Sequence, residues 1–173
     1  MEGLKTFLKQ VDEKIDFERQ LSYAFFITFS RFEYALKNSN YLIGGQLNRK
    51  AEADWDQFAR SNEAHFNSQS HKSLADAVNY IQQAPPKKQI VNANNALDWI
   101  DSVPAADYNG RQLEWLLLMI RRIRNNLFHG GKYPNFMVAE PSRDRELIMS
   151  SLLILNEALN LELRVRDEFF EPI

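Results

Sequence analysis

The sequence predicts an all-α fold: a single domain, residues 1–173, built as a helical bundle. Three observations carry this. Apolar residues recur at three- and four-residue spacing through most of the chain. Turn-forming Gly and Pro (Gly44-Gly45, Pro85-Pro86, Pro104, Gly110, Gly130-Gly131, Pro134, Pro141) fall between those periodic stretches. No stretch alternates convincingly in the manner of a half-buried strand.

The first helix is expected over Asp16–Leu36. Phe17, Leu21, Ala24, Phe25, Thr28, Phe29, Phe32, Ala35 and Leu36 share one face, and Asn38-Ser39-Asn40 ends it. A second, Ala51–Phe66, opens on Glu52, Asp54 and Asp56, an acidic turn suited to a helix N-terminus. Ser73–Gln83 is a shorter helix stopped by the Pro pair, and Asn92–Ile100 is a further short candidate. Gly110–Phe128 is the central helix. Its core stripe is Leu113, Leu116, Leu117, Ile120, Ile123 and Leu127, and Trp115, Leu118 and Met119 make it apolar on nearly every side, so neighbours must bury it on several faces. Ser142–Phe169 is the last long helix, with Ser142 as N-cap and Leu147, Ile148, Leu152, Leu155, Leu159 and Leu163 on its inner side.

Composition excludes several classes. With 45% hydrophobic and 25% charged residues over 173 positions, the chain can bury a full core unaided. It has no cysteine, which removes disulfide scaffolds, cysteine-type zinc sites and thiol nucleophiles and suits a reducing, cytoplasmic setting. Met1–Gln10 has no apolar core of a secretory signal, and no apolar run approaches a membrane span, so neither secretion nor membrane insertion is expected. The pI near 5.9 argues against a general nucleic-acid coat, so any nucleic-acid contact must come from a focused patch.

Such a patch exists. Arg121-Arg122-Ile123-Arg124-Asn125-Asn126-Leu127-Phe128-His129-Gly130-Gly131-Lys132 places four cations and a histidine directly after the most apolar run of a chain whose net charge is −2. No Asp or Glu lies between Glu114 and Glu140 to neutralise them. Helical residues turn by roughly 100° each, so Asn125 and His129 share a face, and Arg124 and His129 stand roughly 140° apart. Gly130 suits the helix end, and cations are favoured there. The residue types suit metal-free cleavage of an RNA phosphodiester. Histidine moves protons near neutral pH, and arginine clamps phosphate oxygens without losing its charge. One histidine cannot easily be both base and acid, which favours a two-fold homodimer with the motif at its axis. Arg121, Arg122, Asn126 and Lys132 are the candidate phosphate contacts around Arg124, Asn125 and His129.

The run Arg124-Asn125-x-x-x-His129, followed by Gly130, resembles the signature of the HEPN superfamily: Arg, a polar residue, three more residues and His near the end of a core helix. The resemblance implies an up-and-down bundle of four to five core helices, with residues 44–107 as a helical insertion. It implies a metal-independent endoribonuclease on single-stranded RNA, without a cofactor, in which the Arg and His of two protomers form a composite cleft. Arg124 would polarise the scissile phosphate, His129 would be the acid/base, and Asn125 the polar neighbour. It further implies toxin–antitoxin, antiviral or RNA-processing roles, with an antitoxin as a possible partner. Relatives regulated by adenylylation carry Tyr two residues after the His. Here that position is Gly131, so this route is not expected.

Plainer readings stay open beside this one. The cations can be solvated charges at a helix end and His129 a cap on free carbonyls. The same bundle can bind RNA, a nucleotide or a protein without chemistry, or act as an interaction protein. Within the aromatic first helix, Glu33 is a candidate to orient Arg124 or His129, while Arg31 reads as solvent-facing between core Phe residues. Tyr23 and Tyr34 are the aromatics expected at the surface, and Lys87-Lys88 is expected at a loop tip. Glu63, His65 and His71 lack metal-site spacing, so no metal is expected. Gly130-Gly131-Lys132 follows a helix and lacks the spacing of a phosphate-binding loop.

Overall fold

A computed structural model describes residues 2–44, 50–128 and 141–172, with the backbone alone for 2–19, 128 and 141. The described chain is mostly helical. In order it contains α1 (Glu2–Asn38), α2 (Trp55–Asn62), a 3₁₀ turn (Glu63–His65), α3 (Lys72–Gln83), β1 (Lys88–Val91), β2 (Leu97–Ile100), a second 3₁₀ turn (Ala105–Tyr108), α4 (Gln112–Phe128), α5 (Pro141–Leu159) and α6 (Leu163–Phe170). None of its helices is long and apolar enough to cross a membrane.

The core forms where the helical periods meet. α1 contributes Phe25, Phe29, Phe32, Ala35 and Leu36, all buried, as their spacing requires. Trp55 of α2 stacks on both Phe29 and Phe32, at centroid distances of 5.0 Å, and Phe58 meets Phe32 edge-on at 5.5 Å. α3 buries Leu74, Ala77, Val78 and Ile81 and packs on α5. α4 buries Leu113, Trp115, Leu116, Leu117, Met119 and Ile120. Residues 44–107 therefore supply core side chains from both α2 and α3.

Several sequence expectations are corrected. The 92–100 stretch is no helix: an antiparallel hairpin pairs Lys88 with Ile100, Gln89 with Trp99, Ile90 with Asp98 and Val91 with Leu97. The turn is made by asparagines. Asn92 Oδ1 accepts from the backbone N–H of Asn94 (3.0 Å) and Ala96 (3.1 Å), and Asn95 takes a left-handed φ of 56°. Lys87 and Lys88 lead into this hairpin and are not its tip, and Lys87 pairs with Asp101 at 3.5 Å.

The last helix is two helices. α5 ends at Leu159, and Glu162 is extended (φ −141°) before α6 begins. The break follows from anchors on both sides. Tyr41 donates a hydrogen bond to Glu162 Oε2, while α6 buries Val165 and leaves Leu163 exposed. Ser142 is not the N-cap of α5. The helix already includes Pro141, whose missing N–H is harmless in a first turn. The second helix starts four residues later than expected, capped by Asp54, whose carboxylate accepts from the Gln57 N–H at 2.8 Å. α1 starts much earlier, at Glu2, and Leu4, Phe7, Leu8, Val11 and Ile15 continue the helical spacing.

Glu63 and His71 have structural tasks. Glu63 reaches across to the start of α4, where Oε1 accepts from Leu113 N–H (2.9 Å) and Oε2 from Glu114 N–H (3.2 Å). A carboxylate at a helix N-terminus satisfies orphan donors and faces the positive end of the dipole. His71 Nδ1 caps α3 by accepting from Leu74 N–H at 3.2 Å. Removing the α4 cap in Glu63→Ala should lower the unfolding free energy by about 1–2 kcal/mol, measured by urea denaturation.

A pH dependence follows from Tyr41. Burial, and then the hydrogen bond and charge of Glu162, push its phenol above the usual range. A phenol whose folded value is raised contributes stability that is complete below about pH 10 and is lost as pH rises through the folded value. Thermal melts should show Tyr41→Phe less stable than wild type at pH 7, with the gap closing above about pH 10 as a tyrosinate forms beside the Glu162 carboxylate.

Candidate functional site

α4 leaves the core through its last two turns. Ile123 (5% exposed) and the partly buried Leu127 still hold it down, while the polar residues between them fan out toward three neighbouring elements.

Most of the cations expected to contact phosphate are tied to the fold. Arg121 Nη2 donates to Asp56 Oδ1 of α2 at 2.6 Å. Its Nε is buried without a partner among the described residues. Arg122 Nη1 donates to Ser102 Oγ at 2.5 Å, and Ser102 passes the chain on by donating to the Pro86 carbonyl. Burial lowers the Arg122 guanidinium from its usual range. Tyr108 works against that shift and Arg121 adds to it. Asn126 Nδ2 donates to the Lys87 carbonyl at 2.9 Å. These three contacts fasten α4 to α2, to the segment after β2 and to the segment before β1.

Arg124 and Asn125 face differently. Arg124 Nη1 donates to Asn125 Oδ1 at 3.1 Å, and the guanidinium lies 5.5 Å from the centroid of the Phe29 ring. Both residues line a polar cleft of about 370 Å³ between α1, α4 and the segment leading into α2. Glu33 and Lys37 of α1 line the same cleft, as do Lys50 and Glu52, which pair at 3.7 Å. Glu33 thus shares a cleft with Arg124. A second cleft, of about 460 Å³, lies around the helix on the hairpin side, lined by Lys88, Gln89, Arg121, Arg122, Asn125 and Asn126. Arg121 and Asn125 border both.

Arg31 is not a cleft residue, nor is it solvent-facing. Its guanidinium caps the end of α6, with Nη2 donating to the carbonyls of Phe169 (2.7 Å), Glu171 (2.7 Å) and Glu168 (3.3 Å). A fixed cation at a helix C-terminus satisfies orphan carbonyls and faces the negative end of the dipole. Tyr23 and Tyr34 are exposed as expected, and Phe26 joins them at 41%. His129 and Lys132, with Gly130 and Gly131, lie outside the described residues. Among the described residues no group of three His, Cys, Asp or Glu is placed to hold a metal ion.

Sequence reasoning missed Lys37, Lys50 and Gln89 as cleft-lining residues. They stand far from the motif in the chain, and the fold brings α1, the segment before α2 and β1 to it. The arrangement offers what a phosphodiester needs on one side: a planar guanidinium coupled to an amide, in the wall of a polar cleft.

Comparison with family models, with curated proteins and with solved structures finds no match to this chain.

The strut and the cleft residue are separable by thermodynamics. A double-mutant cycle between Arg121 and Asp56 should give a coupling of about 1 kcal/mol in unfolding experiments. The same cycle between Arg124 and Asp56 should lie within about 0.3–0.5 kcal/mol of zero.

Proposed function

We propose that this protein is a metal-independent endoribonuclease acting on single-stranded RNA, with Arg124 and His129 of two protomers meeting at a homodimer seam. One observation carries the reading. Arg124 and Asn125 are hydrogen-bonded side by side in the wall of a polar cleft, at the surface end of the most buried helix. Phe29 supports the guanidinium from below, and the neighbouring Arg121 and Arg122 each use a hydrogen bond to hold the helix in place.

In this mechanism His129 of one protomer takes the proton from a ribose 2′-OH. The 2′ oxygen attacks phosphorus, the bond to the 5′ oxygen breaks, and His129 of the second protomer gives its proton to the leaving oxygen. Arg124 stabilises the charge growing on the non-bridging oxygens. Asn125 holds Arg124 in register, and Glu33 opposes its charge across the cleft. The products are a 2′,3′-cyclic phosphate, which can open to a 3′ phosphate, and a free 5′-OH. Such an activity fits a toxin or antiviral effector that a partner antitoxin would restrain.

The test is cleavage of end-labelled RNA in EDTA. Wild type should release cyclic-phosphate ends, Arg124→Ala should be slower by on the order of 10²-fold or more, and His129→Ala should be inactive. Equal cleavage by wild type and His129→Ala would overturn the site.

A further inference from the structure

A third recess opens beside α4, where the hairpin, α4 and α5 meet. Trp99 of β2, Ile123 and Leu127 of α4, and Leu147 and Ile148 of α5 give it an apolar wall, and Lys87, Asn126, Arg143 and Asp144 line it as well. Its volume is about 180 Å³. A cavity of about 150 Å³ accepts a benzene ring, and pockets for drug-sized ligands run to roughly 300–1,000 Å³. The recess therefore has room for one flat ring system and little more. Its wall is preformed: Arg143 of α5 donates to the carbonyls of Ala84 (3.3 Å) and Pro85 (3.0 Å), fastening α5 to the strand-bearing segment.

Trp99 is the informative residue. The chain has three tryptophans, and Trp55 (3% exposed) and Trp115 (1%) are core. Trp99 is 36% exposed and keeps part of its indole open beside the recess. Asn126 is the second. Its amide, fixed by the Lys87 carbonyl, borders this recess on one side and the basic cleft of Lys88, Arg121 and Arg122 on the other. A ligand that fills both spaces has a flat, apolar-faced ring joined to an anion through a short linker. That description is a nucleotide.

We infer that the recess is a base-stacking subsite, in which Trp99 stacks one nucleobase while the adjoining cleft receives that nucleotide's phosphate. The inference deepens the ribonuclease reading and rests on it for the claim that the nucleotide belongs to an RNA strand. The hairpin then grips a single strand beside the Arg124 cleft, where an unpaired base stacks on Trp99 without the cost of leaving a duplex.

The experiment measures binding to the full chain by calorimetry and by tryptophan emission. The probes are adenosine 5′-monophosphate, ribose 5-phosphate and an uncleavable single-stranded hexamer with 2′-deoxy sugars. The hexamer or the monophosphate should quench the emission and bind at least tenfold tighter than ribose 5-phosphate. Trp99→Ala should weaken that binding by roughly tenfold or more, the range expected for one lost base stack, and Trp99→Phe should restore most of it. Circular dichroism and melting of Trp99→Phe show whether the fold is intact. Trp99-dependent binding of the hexamer alone assigns the subsite to a strand, and of the monophosphate as well, to free nucleotides too. Equal binding of ribose 5-phosphate, unchanged binding in Trp99→Ala, or no binding of either nucleotide probe overturns the inference. Trp99-dependent binding without RNA cleavage leaves the subsite standing and removes the catalytic reading. Cleavage with Trp99-independent binding does the reverse.

Discussion

The burial of α4 is the constraint on which the remaining geometry depends. Six of its first nine residues are large apolar groups with almost no exposure, covering roughly 200° of the helix, and the buried Glu114 and partly buried Leu118 fill the remaining face. Such a helix has no solvent face to stabilise it in isolation, so it exists only inside a complete set of neighbours. Its polar groups must then be satisfied from outside. Glu63 supplies the acceptors for its first N–H groups, and the Trp115 indole donates to the Val103 carbonyl at 2.8 Å. Asn109 and Gly110, both at positive φ (50° and 80°), turn the chain into this buried start. With the first turns fixed so firmly, the direction in which each later side chain emerges is fixed as well.

That rigidity explains why a run of like charges can sit at the end of such a helix. The C-terminal end of the macrodipole favours cations, yet adjacent guanidiniums repel. The structure separates them by giving each a different neighbour: Arg121 an aspartate on α2, Arg122 a buried serine after β2, Arg124 the Phe29 face and the Asn125 amide. Arg121 and Arg122 work as struts, at the expense of an Arg121 Nε unpartnered among the described residues and a guanidinium partly stripped of water. The struts hold Arg124 and Asn125 where the cleft opens.

How much of this was legible in the sequence depends on the range of the physics. Local periodicity was readable: Phe25, Phe29, Phe32, Ala35 and Leu36 of α1 and Leu113, Leu116, Leu117, Ile120 and Ile123 of α4 are buried as expected, though Ala24 is exposed, and the Asn38–Asn40 and Pro85-Pro86 stops are real. The break between α5 and α6 was hidden, because Leu159 and Leu163 keep helical spacing across it and its cause lies over a hundred residues away, at Tyr41 and Arg31. The hairpin was hidden because its strands have only four residues each, too short for alternation to declare itself, although the asparagine cluster at 92–95 was a usable turn signal. In the basic run the motif was visible and the division of labour was not. Which arginine is a strut depends on Asp56 and Ser102, and nothing local to 121–126 names those partners.

The segment 44–107 therefore bears on the basic end of α4 as directly as α4 itself does. It provides Asp56, Glu63, Lys87 and Ser102, each bonded to α4 at a different point along its length. Its aromatic residues also reach the cleft: Trp55 stacks on Phe29, the ring on which the Arg124 guanidinium rests. α1 closes the arrangement from the other side. Phe29 supports Arg124, and two residues on, roughly 200° around the helix, Arg31 holds the end of α6. A shift of α6 would thus be felt first by α1 and, through Phe29, by the guanidinium, because closely packed interiors pass displacement on between rigid neighbours. The cleft is a surface feature, but the position of its guanidinium is set by the core.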